Sequence, residues 1–246
     1  SHSKTHQGNL ILDFSLNDKN TLSFSSTVMV SPNKTFDNKV NGEIFNAEKV
    51  LDSVFKTTSY LNNDATNLSF NLEHKVNFDK EGNNLSTSVN YITYNNKQTQ
   101  DLNTDYSLPT GELTNNVSFY TDAQQDSNIL TGQLDYEHQI GEGDFETGVK
   151  YSNIQTESSL HFFDMQNEDL IYSEDHSDLF IYSEAIYAGY VNYSKAWNKW
   201  DFNIGLRGEY TDVRGDSKSL GIINNQNYFD IFPTVSALYK NNDNNI

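Results

Sequence analysis

The chain has 246 residues and a formal charge of −18, and 35% of its residues are hydrophobic. This acidic balance argues against nucleic acid as a partner, because proteins bind phosphates with lysine and arginine. With no cysteine, the chain has no disulfide, thiolate zinc site or cysteine nucleophile. Aromatic residues make up 13% of the chain and only 3 residues are proline, a composition that favours strands.

Apolar and polar residues alternate with a period of two in eight segments of the chain. From the N-terminus, the alternating segments are NLILDFSL, TLSFSSTVMV, NLSFNLEHKVNF, NLSTSVNYITYN, NILTGQLDYEHQI, FETGVKYSNI, FIYSEAIYAGYVNYS and WDFNIGLRGEYTD. A period of two is strand geometry, with successive side chains on opposite faces. No run of about 18 apolar residues occurs, so no transmembrane helix is predicted. The sequence therefore predicts an all-β chain.

The connections between these segments are of two kinds that alternate. Tight polar turns are predicted at residues 17–20, 79–83, 141–144, 195–199 and 240–245. Long loops are predicted near residues 31–66, 96–127, 155–178 and 212–227. An antiparallel up-and-down meander then has short turns at one end and long loops at the other, as in an outer-membrane β-barrel. We predict a partial barrel of this kind, in a single β-barrel region over residues 1–246.

Three motifs in the C-terminal third resemble a known family. They are EAIYAGY at Glu184–Tyr190, GLRGEYT at Gly205–Thr211 and FPTVSALY at Phe232–Tyr239. In combination they resemble the outer-membrane β-barrel family that is related to TonB-dependent receptors. The close similarity covers about residues 180–242, and a looser one extends towards the start of the chain.

The resemblance implies a barrel of about 22 strands in the outer membrane of a Gram-negative bacterium, with an N-terminal plug domain and coupling to TonB. The sequence has about nine membrane-length strands and no recognisable plug, so we expect a fragment of a longer barrel. The implied function is nutrient uptake across the outer membrane. The implied partners are outer-membrane lipid, TonB, the plug and an unidentified nutrient, with no cofactor and no enzymatic activity.

Charged and aromatic residues on the last strands are the candidate site residues. Glu184, Arg207 and Glu209 are expected to face the lumen as structural charges, with Glu184 as a partner for Arg207 and with Arg214 on the same side. Trp197, Trp200 and Tyr239 lie beside tight turns, where interfacial aromatics are expected.

No metal site is predicted, although one segment partly resembles a calcium loop. Asp37, Asn41 and Glu48 occupy ligand positions of such a loop, but Lys39 stands where a ligand oxygen is needed. The segment HFFDMQNEDLIYSEDHSD holds carboxylates and two histidines, which form either a divalent cation site or a solvated surface.

Two other functions remain open from the sequence. One is a soluble, secreted β-sandwich that binds glycans or calcium as a binding or adhesion module. The other is a structural barrel without transport.

Overall fold

One antiparallel sheet is formed by residues 3–78, 83–166 and 169–240, the part of the chain that the computed structural model describes. The strands are β1 (His6–Asn17), β2 (Asn20–Phe45), β3 (Leu51–Asn77), β4 (Asn84–Ser107), β5 (Leu113–Ile140), β6 (Gly143–Gln166), β7 (Asp169–Tyr172), β8 (Asp178–Trp197), β9 (Trp200–Ser217) and β10 (Ile222–Tyr239). Neighbours in the sheet follow chain order, except that the short β7 pairs only with β6. The predicted all-β up-and-down meander is confirmed, and the sheet is open, with β1 and β10 at its edges. Within these residues, no helix has the length and apolar character needed to cross a membrane.

The tight turns lie together at one end of the sheet, as predicted. They join β1 to β2, β5 to β6 and β8 to β9. Gly141 and Asn198 have φ values of 63° and 53°, the left-handed conformation that two-residue hairpin turns require. The turns predicted at residues 79–83 and 240–245 lie outside the described residues, except for Asn83 and Lys240.

The segments predicted as long loops are mostly paired strand, so that prediction is corrected. The pairing of β2 with β3 continues from Asn20 opposite Val76 to Phe45 opposite Leu51. Of the region near residues 31–66, only residues 46–50 connect the two strands. The regions near residues 96–127, 155–178 and 212–227 are likewise mostly strand.

Polar side chains on both faces, such as adjacent Thr57 and Thr58, explain why these strand extensions have no apolar alternation. The hydroxyls of Thr57 and Thr104 hydrogen-bond at 2.9 Å, and Asn63 donates to Asn96 at 2.6 Å. Cross-strand polar pairs of this kind stabilise a sheet without burying an apolar face. A strand can therefore continue where the hydrophobic pattern that predicts it has ended.

Near the short turns, the sheet has one apolar face and one polar face. A single row on the apolar face crosses the nine long strands in register: Leu12, Phe24, Leu72, Val89, Gly132, Tyr151, Tyr187, Tyr210 and Phe229. Further apolar residues lie between this row and the short turns. We call the apolar-face residues from this row to the short turns the apolar belt.

No second layer covers the apolar belt. Among the described residues, Ala188 is the single buried apolar side chain. In contrast, Ile204 is 58% exposed and Phe229 is 61% exposed. A β-sandwich would bury this face against a second sheet, so the described residues do not form the alternative fold that the sequence left open. Exposed apolar surface of this extent marks an interface.

Candidate functional site

The three predicted interfacial aromatics lie side by side at the short-turn border of the apolar belt. Trp197 is opposite Trp200 across the β8–β9 pair, and Trp200 is opposite Tyr239 across the β9–β10 pair. The ring centroids of Trp200 and Tyr239 are 5.0 Å apart. All three side chains are exposed on the apolar face. An aromatic border is typical of the membrane–water boundary of outer-membrane barrels, and the interfacial role of these residues stays a prediction.

Arg207 and Glu209 lie together on the polar face of β9. Their side chains form an ion pair, because residues two apart on a strand project from the same face. The expected pairing of Arg207 with Glu184 is wrong. The register places Arg207 opposite Tyr190 and Glu184 opposite Val213, so Glu184 lies six positions along β8 from the residue that faces Arg207.

The expectation that Arg214 lies on the same face as Arg207 is wrong, because the two side chains project from opposite faces. The two residues are an odd number of positions apart, and the β8–β9 register has no shift between them, so their side chains alternate to opposite faces. Arg214 lies beyond the belt and pairs with Asp216 at 3.4 Å. Lys218 contacts the same carboxylate at 2.7 Å.

A hydrogen-bonded cluster on the polar face joins β5 to β8 across the intervening β6. The Tyr190 hydroxyl on β8 donates to the Asp135 carboxylate on β5. Gln133 donates its amide to both oxygens of the same carboxylate, at 3.1 and 2.8 Å. The Arg207 guanidinium lies 5.8 Å from the centre of the Tyr190 ring. Tyr190 therefore links the charged pair on β9 to the carboxylate on β5.

Gly148 makes the contact between Tyr190 and Asp135 possible. It lies on β6 between them, opposite Asp135 on one side and Tyr190 on the other. A Cβ atom at Gly148 would lie only 2.6 Å from the Tyr190 hydroxyl oxygen. The absence of a side chain there lets the tyrosine cross over a whole strand. Sequence reasoning missed this cluster, because only the register shows which residues meet.

The far end of the β9–β10 hairpin is fixed to the start of β8. Asp178 accepts hydrogen bonds from Ser217 Oγ at 2.8 Å and from the amide and hydroxyl of Ser219 at 3.0 and 2.7 Å. The hydrogen bonds from Ser219 hold the pKa of the Asp178 carboxyl below its ordinary value. The hydrogen bond from Lys218 similarly lowers the pKa of the Asp216 carboxyl. These bonds order the end of the hairpin that lies away from the belt.

The structure does not bring the calcium-loop candidates together. Asp37 and Asn41 lie in the paired part of β2, and Glu48 lies in the turn that follows it. A strand separates residues four apart by about 13 Å, too far for a shared ion, which binds its ligands at about 2.3–2.6 Å. Across the described ranges, no group of three or more histidine or acidic side chains has the geometry to hold a metal. Glu168 of the histidine-containing segment lies outside those ranges.

Comparison with known proteins identifies a family. A sequence model of the outer membrane protein beta-barrel family matches residues 76–246. The match includes all three C-terminal motifs and confirms the family that they predicted. A search of curated protein sequences found no match.

Solved structures of larger proteins are similar to this chain, and the fold is shared with the one whose TM-score is 0.50. The ferric preacinetobactin receptor BauA from Acinetobacter baumannii superposes with a TM-score of 0.50 at 8% identity, over 98% of this chain and 45% of BauA. The unliganded ferric citrate transporter FecA gives 0.43 at 11% identity, over 98% of this chain and 42% of FecA. The ferric yersiniabactin uptake receptor FyuA from Yersinia pestis gives 0.41 at 10% identity, over 98% and 44%. The chain thus spans less than half the length of these proteins.

Proposed function

Because the chain belongs to the outer membrane protein β-barrel family, we propose that its sheet forms part of the wall of a larger barrel in a Gram-negative outer membrane. The apolar belt is the observation that carries this proposal. From Trp200 to Tyr210 it extends about 33 Å along β9, at about 3.3 Å per residue. With a strand tilt of about 40°, this β9 part of the belt is about 25 Å tall, which matches the lipid-facing band of outer-membrane barrels.

Further strands are proposed to close this wall. The outer edges of β1 and β10 are at the two ends of the open sheet, and lipid does not tolerate unpaired strand edges, because no water is present to satisfy their backbone groups. In the intact protein, each of these edges pairs with another strand. The polar face, which carries Tyr190 and Arg207, then lines the interior, and Glu184, Arg207 and Glu209 are lumen-facing structural charges.

The proposed activity is nutrient uptake, in a receptor of the TonB-dependent kind. The paired strands beyond the belt extend into the external medium and contribute to capture of the nutrient. An example is the part of β2 and β3 that lies farthest from the short turns. A plug domain occupies the interior and moves when TonB acts on it. The support is family membership and a fold shared with BauA at a TM-score of 0.50.

The proposed activity is tested by asking whether nutrient uptake depends on energy from the inner membrane. Cells that produce the intact protein are supplied with radiolabelled ferric complexes and other scarce nutrients, with and without an uncoupler of the proton gradient. We expect one nutrient to accumulate in the cells, and we expect the uncoupler to abolish its accumulation. Equal entry with and without the uncoupler would identify a passive barrel, and the absence of any uptake would favour a structural role.

A further inference from the structure

A groove of about 730 Å³ crosses the apolar belt in its middle strands. Three glycines form its floor: Gly132 on β5, Gly189 on β8 and Gly208 on β9. Gly189 and Gly208 are directly opposite each other. The walls are apolar-face side chains of the surrounding strands, which include Val89, Leu134, Val149, Tyr151, Tyr187 and Phe229.

The groove is open because its neighbours do not fill the space left by two of the glycines. A Cβ atom at Gly132 would meet nothing within 4 Å, and one at Gly189 would meet only a backbone oxygen at 4.0 Å. The ring of Phe229 covers Gly208, at 3.0 Å from the same ideal position. An apolar surface with such a gap lacks the dispersion contacts that a filled surface has.

Tyrosine side chains border the groove on the side away from the short turns. The rings of Tyr151 and Tyr187 are 5.0 Å apart, and those of Tyr187 and Tyr210 are 6.4 Å apart. Tyrosine has an apolar ring and a polar hydroxyl, so it suits the boundary between hydrocarbon and lipid headgroups. The groove therefore lies just inside the hydrocarbon, next to a row suited to headgroups.

We propose that this groove binds one acyl chain of a membrane lipid whose headgroup lies at the tyrosine row. The inference rests on the proposed position of the belt in the membrane. The groove is open to the proposed lipid-facing surface and is bordered by belt residues, so the material at its height is hydrocarbon. A flexible chain restores the contacts that the glycines leave unmade, and it lies along the wall between Gly132 and Gly189.

Photo-crosslinking in a defined membrane tests the proposal. The intact protein is reconstituted in phosphatidylethanolamine vesicles that contain a phospholipid with a diazirine in its acyl chain, irradiated and digested, and the adducts are mapped by mass spectrometry. We expect several-fold more adducts on the belt segments of β5, β6 and β8 than on those of β1 to β3. Equal labelling of all belt segments would overturn the proposal.

Variants that fill the groove provide the matched comparison. The single variant Gly132→Leu and the double variant Gly132→Leu/Gly189→Leu are both expected to reduce the groove adducts several-fold. If the double variant does not fold, the single variant alone tests the proposal. Gly8→Leu is the control, because Gly8 also has nothing within 4 Å of its ideal Cβ position but lies on β1. Unchanged labelling in Gly132→Leu would contradict the proposal.

Failure of the membrane assignment gives a different result. In that case no belt segment of any strand acquires adducts, and the wild-type protein and the Gly8→Leu variant are equally unlabelled. If a bifunctional crosslinker applied to native membranes instead joins another protein to the groove residues, that protein occupies the groove and the lipid proposal is overturned.

Discussion

Placing a charge at Leu206 tests the lipid-facing belt at its most sensitive depth. Leu206 is 49% exposed on the apolar face, opposite Val191 and Pro233. It lies about 20 Å along β9 from Trp200, or about 15 Å along the membrane normal at a tilt of about 40°. Since the belt is about 25 Å tall, Leu206 lies close to the middle of the bilayer.

The Leu206→Arg variant should lose about 2–4 kcal/mol of folding free energy, the cost of arginine at the midplane on the lipid face of a barrel. Because each 1.4 kcal/mol is a factor of ten, this equals roughly a 30-fold to 700-fold change in the folding equilibrium. The matched control is Asn203→Arg on the polar face of the same strand, which should change stability by no more than about 0.5 kcal/mol.

Equilibrium urea unfolding of the intact protein in phospholipid vesicles measures both variants. We expect the midpoint of the Leu206→Arg variant to fall clearly below that of the wild type, while Asn203→Arg stays near it. If the two arginine variants unfold at the same urea concentration, the apolar face does not contact hydrocarbon and the membrane assignment is refuted.

Further predictions concern the polar face and the end of the β9–β10 hairpin. Tyr190→Phe removes the hydrogen bond to the Asp135 carboxylate and should cost about 1.5–3 kcal/mol in the same urea assay, the range for hydrogen bonds to charged groups. Gly148→Val places side-chain atoms against the Tyr190 hydroxyl and should cost about 1–3 kcal/mol of folding free energy. Unchanged stability would show that Tyr190 does not need the space at Gly148 to reach Asp135. The carboxyls of Asp178 and Asp216 should titrate below the ordinary aspartate pKa in ¹³C NMR. A lowered folded-state pKa means that their stabilisation is complete above about pH 3.9 and is lost as the pH falls through the lowered values, so titration at or above the ordinary value would contradict the hydrogen bonds seen.

The strand pattern and the turn end of the fold were predictable because they depend on local chemistry. The alternation from Trp200 to Tyr210 gives both the strand and its two faces. Glycine and asparagine at the tight turns supply the backbone conformation that hairpins need, as at Gly141 and Asn198. The three C-terminal motifs added the family, which periodicity alone does not give.

The extent of the strands was not predictable in the same way. In the strand extensions polar residues occupy both faces, as at Thr57 and Thr58, so no alternation results, although Thr57 and Asn63 form cross-strand hydrogen bonds. Sequence patterns report the contrast between two faces, and backbone pairing does not require that contrast. The strands therefore extended well past the predicted limits.

Cross-strand contacts at the site depended on the register, which the sequence did not provide. The pairing of Arg207 with Glu209 followed from their spacing within one strand. The pairing of Glu184 with Arg207 required a register and was wrong. The link from Tyr190 over Gly148 to Asp135 spans three strands, so no local pattern could indicate it.

Spin-label accessibility along β9 tests most directly whether the apolar belt faces lipid. The chain has no native cysteine, so single cysteines introduced at residues 202–207 can be spin-labelled in the intact protein in vesicles. Collisions of each label with oxygen and with a water-soluble nickel complex are then measured. We expect oxygen to dominate at Phe202, Ile204 and Leu206 and the nickel complex to dominate at Asn203 and Arg207, in strict alternation. Equal access of the nickel complex to both sets would contradict a belt in contact with the membrane.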